Sequence, residues 1–183
     1  EIQVKQGATT IPTGGSFNVG PSAVGHQVTY PFTMENLGNS NLTWNGTPKI
    51  RVSGTHAGEF SVDETTTTSP LGGGGSTTFL LTFRPNSLGT KTATLSLANN
   101  DGDEGNYTMT VTGTAVPSKN LQITLAGTGQ GTVTSDLPGL ACAATTPSCS
   151  LPVIDSPRWV TLTPVPATGS EFIGWTGDAA CQA

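Results

Sequence analysis

The chain has 183 residues, a formal net charge of −5 and only 10% charged residues, together with 24 glycines and 13 prolines. An ordinary soluble domain carries about 25% charged residues, so this composition favours β-branched strands and Gly/Pro turns over helices. Seven lysines and arginines spread over the chain cannot neutralise a phosphate backbone, which argues against a nucleic-acid partner. No apolar run approaches the roughly 20 residues that span a bilayer, so direct membrane insertion is not expected.

The first part of the chain shows the period-2 alternation of half-buried strands. Residues 27–35 place four apolar side chains on one face, namely Val28, Tyr30, Phe32 and Met34. The same pattern predicts strands at 77–84, 91–98 and 106–112, and shorter ones at 2–4, 16–19, 42–44, 50–52 and 59–62. Because turn residues join these strands at short intervals, we predict an all-β fold, with an immunoglobulin-like antiparallel β-sandwich over residues 1–116.

A second β domain is predicted after a linker at residues 117–120. Pro117 fixes its own φ and cannot donate to a ladder, so it suits the passage between two sheets. Strand patterns restart at residues 121–125, 132–134, 158–163 and 171–175. The chain ends soon after the last of these, so we expect residues 121–183 to form a smaller, incomplete β-rich domain of a longer protein.

All three cysteines lie in this second domain. Cys142 and Cys149, in a polar loop that contains a proline, are predicted to form a disulfide, which is worth about 2–3 kcal/mol and indicates an oxidising compartment. A metal site is the alternative, but it needs more ligands, and this half of the chain has no histidine. Cys181 is then unpaired or paired outside the chain. Catalysis by Cys181 would need a nearby histidine, whereas both histidines lie in the first domain.

Carboxylates are concentrated in residues 99–104. Asp101, Asp103 and Glu104 could offer hard oxygen ligands to Ca²⁺. The Asp-Gly dipeptide is equally typical of a polar hairpin turn, and the spacing is not that of the helix–loop–helix calcium motif. We therefore favour the turn and expect no cofactor, with Ca²⁺ as the alternative.

The tryptophans are candidates for stacking on sugar rings, although such residues more often pack in a core. Trp44 is predicted to be exposed and is the candidate glycan contact, while Trp175 is predicted to lie in the core. No Gly-x-Ser-x-Gly elbow, phosphate loop or zinc-protease motif occurs, and three acids on one hairpin tip do not face a cleft as in glycosidases. We predict that the chain is not an enzyme.

Ordered motifs run through the first domain: Gly15-Ser-Phe-Asn-Val-Gly20, Phe32-Thr-Met-Glu-Asn-Leu-Gly38, Thr82-Phe-Arg-Pro85 and Gly89-Thr-Lys-Thr-Ala-Thr-Leu95. This series, within residues 2–115, resembles the choice-of-anchor D domain, a bacterial relative of the hydin and major-sperm-protein immunoglobulin-like sandwiches. The resemblance implies a structural or interaction module without a catalytic set.

The second domain contains Gly127-Thr-Gly-Gln-Gly-Thr-Val133, Val160-Thr-Leu-Thr-Pro164 and Gly169-Ser-Glu-Phe-Ile-Gly-Trp-Thr-Gly177. With the Cys142 and Cys149 pair, these motifs are similar to the divergent internalin B-repeat group of bacterial surface repeats, which is related to β-grasp modules. The resemblance implies a partial repeat in which the partner of Cys181 would lie just downstream.

These observations together predict a secreted or cell-surface bacterial protein that acts as a stalk, a spacer or a subunit of an extracellular filament or other assembly. Its expected partners are neighbouring domains or copies of itself, and also surface glycans. The alternative is a glycan-binding accessory module of a larger secreted hydrolase or adhesin, which Trp44 and the acidic hairpin suggest.

Overall fold

The computed structural model describes residues 1–137, 139–140, 142–154 and 160–177, with the backbone alone for residues 152–154. The chain divides into two compact units, Glu1–Pro117 (unit 1) and Ser118–Ala183 (unit 2). Apart from one 3-10 turn at Ala57–Glu59, the regular structure of the described residues is all strand, which confirms the predicted all-β class.

Unit 1 is a sandwich of two sheets. Its strands are β1 (Ile2–Gln6), β2 (Thr9–Ile11), β3 (Gly15–Ala23), β4 (Val28–Asn36), β5 (Ile50–Ser53), β6 (Phe60–Asp63), β7 (Ser76–Phe83), β8 (Gly89–Ala98) and β9 (Asn106–Val116). One sheet has the order β2-β1-β4-β7-β6, and the other has the order β3-β9-β8-β5. All pairs are antiparallel except one, because β3 pairs with β9 in parallel.

The parallel pair was not anticipated in the predicted antiparallel sandwich. Its register shifts between Asn18 and Pro21. Gly20 there has a φ of +73°, a left-handed conformation that suits glycine, and Pro21 has no N–H to donate. These two residues bend β3 so that it can follow β9 over nearly its whole length.

The core of unit 1 lies between the two sheets and is rich in aromatic rings. Phe32 and Phe79 stack with ring centroids 5.0 Å apart, and Phe60 and Phe83 stack at 4.8 Å. The inward face of β8 and β9 closes the core with completely or nearly completely buried side chains: Ala93, Leu95, Leu97, Tyr107, Met109 and Val111. This is the alternation that the sequence predicts for these strands.

Unit 2 contains two small sheets. Its strands are β10 (Ser118–Thr124), β11 (Gly131–Ser135), β12 (Cys142–Ala143), β13 (Ser148–Ile154) and β14 (Leu162–Pro166). β10 pairs with β13, and a three-stranded sheet has the order β12-β11-β14. Its buried cluster consists of Ile123, Val133 and Cys142, with partly buried apolar residues around it, Trp175 among them.

Three predicted elements of the second domain differ in the structure. The strand predicted at 158–163 corresponds to β14, which begins only at Leu162. Residues 171–175 are not a strand; the Phe172 ring instead packs against Trp175, with centroids 5.0 Å apart. The predicted linker 117–120 shortens to Pro117, because β10 begins at Ser118. Pairing with β13 extends β10 towards Pro117, and the sequence of β10 alone does not show this pairing.

Candidate functional site

The acidic loop, residues 99–105, joins β8 to β9 and is fastened by buried Asn99. The Asn99 Nδ2 donates to the carbonyls of Leu97 and Glu104 at 3.1 and 2.9 Å, and its Oδ1 accepts from the amide of Asp101 at 2.7 Å. Such side-chain to backbone bonds replace the ladder where two strands separate. The loop is therefore the polar turn that the sequence predicts between these strands.

Four acidic residues converge on this loop: Glu1, Asp101, Asp103 and Glu104 each offer a carboxylate oxygen, and these oxygens lie within 4.8 Å of one another. The backbone nitrogen of Glu1 lies 2.9 Å from Asp101 Oδ2. Desolvation, followed by the nearby charge of Asp103, raises the pKa of Glu104. The four carboxylates could hold one hard cation.

Cys142 and Cys149 are joined by a disulfide, with Cα atoms 5.4 Å apart. The prediction that they lie in a polar loop is wrong, because Cys142 belongs to β12 and Cys149 to β13. The prolines around Cys149 argue against a central strand, but β13 belongs to a two-stranded sheet, in which every strand is an edge. The disulfide links the two sheets of unit 2. Cys181 lies outside the described residues.

Replacing both Cys142 and Cys149 by alanine should destabilise unit 2 by about 2.5 kcal/mol, the chain-entropy value for so short a loop. Thermal unfolding followed by the amide resonances of unit 2 measures the loss. Reduction of the native protein should give a loss of the same size, and Cys181→Ser should give none. If Cys181→Ser lowered the stability as much as the double substitution, the assigned pairing would be incorrect.

The prediction that Trp44 is exposed is wrong. Trp44 is 9% exposed, and its indole Nε1 donates to the carbonyl of Thr68 at 2.8 Å. A β-bridge to Asn99 also holds its backbone against the start of the acidic loop. Trp44 therefore belongs to the core of unit 1 and cannot stack on a sugar. Trp159 lies outside the described residues.

A buried ion pair is the polar feature that the sequence analysis missed. Lys91 Nζ lies 3.1 Å from Glu59 Oε1 and 2.6 Å from Ser87 Oγ. The other carboxylate oxygen of Glu59 accepts from the amide of Asn86 at 2.9 Å. The sequence contains a sign of this pair, because Lys91 alternates in step with Ala93, Leu95 and Leu97, whose side chains face the core. The pair fastens the loop between β7 and β8.

The two histidines lie in different loops, and the carbonyl of His56 accepts from the amide of Glu59 at 2.9 Å. His26 is exposed in the loop between β3 and β4. His56 lies in the turn before the 3-10 segment, and its Nδ1 accepts from the amide of Thr92 at 3.1 Å. Both are therefore loop residues, as the sequence predicts. None of the described residues forms a helix that is long and apolar enough to cross a bilayer.

Several solved structures are similar to this chain. A Porphyromonas gingivalis W83 protein of unknown function is 13% identical (TM-score 0.48), and the match covers 62% of this chain and 46% of that one. The PapD-like domain 7 of human CEP192 is 14% identical (TM-score 0.44), with 64% and 87% covered. The Vibrio cholerae VesB protease is 18% identical (TM-score 0.44), with 62% and 32% covered. The chain thus corresponds to less than half of the Porphyromonas protein and a third of VesB.

None of the curated proteins is similar enough to the chain to count as a match. The profile of the HYDIN/CFA65/VesB-like Ig-like domain matches residues 13–114, the greater part of unit 1. These residues contain the hydin-like motifs and strands β3 to β8 in full. Since they amount to more than half of the sequence, the chain belongs to the HYDIN/CFA65/VesB-like family of Ig-like domains.

Proposed function

We propose that this chain is a non-catalytic structural module of a bacterial extracellular or cell-surface protein, in which it serves as a spacer or as a unit of assembly. The Ig-like family supports the module. The Cys142–Cys149 disulfide supports an oxidising location, because disulfides persist mainly outside the cytosol. The role requires no cofactor.

The observation that carries this proposal is that the buried polar side chains of unit 1 hold the loops between its strands. Asn36 Nδ2 donates to the carbonyls of Ser40 and Leu71 at 2.7 and 2.9 Å. Asn99 fastens the acidic loop in the same way, and Lys91 with Glu59 fastens the loop between β7 and β8. Each of these groups, which are costly to bury, secures a connection between strands. A fold in which buried hydrogen bonds hold the loops in place suits a module that must withstand mechanical force.

The proposed partners are neighbouring domains or further copies of the chain. Within the described part of unit 2, β10 and β13 pair only with each other, so each has one edge open to another strand. Open edges are templates for strand addition between chains. A filament subunit that accepts a strand from the next copy is the specific form of this proposal.

Light scattering over a dilution series of the full chain tests the assembly, together with alkylation of Cys181 in the native protein. Assembly predicts particles larger than a monomer at the concentrated end, and protection of Cys181 there. Monomers at every concentration with a freely alkylated Cys181 would reject self-assembly, leaving the spacer. Hydrolytic activity that disappears in His56→Ala would contradict a non-catalytic role.

The alternative function, a glycan-binding accessory module, rested mainly on an exposed Trp44, and Trp44 is buried. The acidic loop still supports this alternative, and that loop would act through Ca²⁺. A glycan array probed with and without Ca²⁺ decides this alternative, since binding that requires Ca²⁺ and is lost in Asp103→Asn would support it.

A further inference from the structure

A polar groove of about 590 Å³ lies on the outer face of unit 1, over β5, β8 and β9. Three cross-strand rows form it. Arg51 lies opposite Ser96, Ser53 lies opposite Thr94, and Ala98 lies opposite Asn106. Lys49, one residue before β5, adds a second cationic side chain to the lining. The small side chain of Ala98 makes a depression between Lys49 and Asn106.

Lys49 and Arg51 differ from the other cationic residues of the described chain. Lys5 and Lys91 form ion pairs with Glu35 and Glu59 at 2.7 and 3.1 Å. Arg84 Nε donates to the carbonyl of Gly25 at 3.1 Å, and Lys119 also has a partner. Within the described residues, only Lys49 and Arg51 have cationic groups without a hydrogen bond or ion pair. The described part of this chain, whose net charge is −5, thus places two cationic groups without a partner in one groove.

The cationic groups of Lys49 and Arg51 favour a ligand that carries carboxylates. The planar guanidinium of Arg51 can donate two parallel hydrogen bonds to one carboxylate, and the ammonium of Lys49 acts as a second point charge. Because Lys49 and Arg51 are two positions apart and line the same groove, a ligand with repeated carboxylates can meet both. The hydroxyl of Ser96 and the amide of Asn106 provide hydrogen bonds to neutral polar groups between the charges. The hydroxyl of Ser53 donates to the carbonyl of Thr94 at 3.4 Å and can accept a further hydrogen bond.

A glycan fits this groove better than an acidic peptide does. The usual way for a peptide to join an edge strand is backbone pairing, and β5 is the edge of its sheet. The amides of Lys49 and Ile50, however, already donate to the carboxylate of Glu64, at 3.2 and 3.0 Å. The groove also lacks an aromatic or large apolar lining residue to hold a peptide side chain. Hydroxyl groups distributed along a sugar chain match the serine and asparagine side chains.

We propose that the groove of Lys49, Arg51, Ser53, Ser96, Ala98 and Asn106 binds an oligosaccharide that carries carboxylates, that is, a uronate-containing glycan. Arg51 and Lys49 hold carboxylates on the sugar chain, and Ser53, Ser96 and Asn106 bond to its hydroxyls. This site is separate from Trp44 and from the acidic loop. It is independent of the spacer role, which holds whether or not the groove is used.

An oligogalacturonate titrated into the full chain, in the presence of a chelator that removes Ca²⁺, tests the proposal by NMR. The expected result is movement of the amide resonances of Ser53, Ser96 and Asn106, with binding that weakens as salt is added. Arg51→Gln should weaken binding about tenfold or more, since a hydrogen bond to a charged group is lost. Arg51→Lys should retain part of the affinity, and Lys49→Gln should give a smaller loss than Arg51→Gln.

The matched control is Lys5→Gln, which removes the same charge from the other sheet and should leave the affinity unchanged. A neutral galactose oligomer of equal length should not bind. Equal binding of a polyglutamate peptide would overturn the assignment to glycans, and equal losses in Lys5→Gln and Arg51→Gln would overturn the site. The absence of any resonance change with oligogalacturonate would reject the proposal outright. None of these outcomes bears on self-assembly, which light scattering tests separately.

Discussion

Lys91→Met is expected to destabilise unit 1 by about 3–5 kcal/mol, because the substitution leaves the buried carboxylate of Glu59 without its partner. The side chains of Lys91 and Glu59 are only 5% and 7% exposed. Water cannot replace the lost ammonium there, and the Ser87 hydroxyl loses its bond as well. Urea unfolding of the full chain, followed by the amide resonances of unit 1, measures the change.

The exposed pair of Lys5 and Glu35 provides the control. Its atoms are closer, at 2.7 Å, but the side chains are 28% and 26% exposed, so Lys5→Met should cost no more than about 1 kcal/mol. The double variant Lys91→Met with Glu59→Gln should recover much of the loss, since the uncompensated charge is gone. Equal effects of Lys91→Met and Lys5→Met would show that water reaches the Glu59 pair in solution.

Phe79→Ala is expected to cost about 3–5 kcal/mol through the cavity that it opens in the core. Phe79 is completely buried, and its ring stacks on Phe32 at 5.0 Å. A loss of this size is a large part of the total stability of an ordinary domain. The urea midpoint of unit 1 should therefore fall sharply, while the unfolding of unit 2 should change little.

Leu80→Ala is the matched control, because Leu80 is the next residue along β7 and faces outward. It is 39% exposed, so its truncation should cost only about 0.5 kcal/mol. The ratio of the two effects measures the strand register directly. A slip of β7 by one residue would exchange the two results.

The strands of unit 1 could be predicted because each carries its own burial pattern. Phe79, Leu81 and Phe83 alternate with polar or exposed neighbours, and the structure buries all three. The predicted limits of β7 and β8 agree with the observed ones within two residues. Period-2 alternation is local information, and it is strongest in strands with one face in the core.

Features that depend on distant contacts could not be predicted in this way. Trp44 stands among polar residues and glycine, and its burial comes from Thr68 and Asn99, which are far away in sequence. The prolines around Cys149 concealed a strand, because a local rule cannot tell whether a strand will be an edge. Lys91 is different, because the period-2 alternation of β8 already assigns it to the core-facing side. A charged residue at such a position indicates that a partner of opposite charge is buried beside it.

The groove over β5 could not be predicted for the same reason. Lys49 and Arg51 are two positions apart in the sequence, but Ser96 and Asn106 reach them only through the β5–β8–β9 ladder. The absence of partners for these two cations becomes visible only when the partners of the other described cations are known. Charge composition alone, at −5, points away from any anionic ligand.

The parallel pairing of β3 with β9 has a consequence for the order of events during synthesis. β3 has β9 as its single neighbour, and the register places Gly15 opposite Met109 and Ala23 opposite Val116. β3 must therefore wait for the last strand of its unit, and pairing over so long a separation in sequence is slow. The second sheet of unit 1 cannot be completed until Val116 has emerged from the ribosome. A module proposed for export thus keeps β3 without its neighbour until the whole of unit 1 has been synthesised.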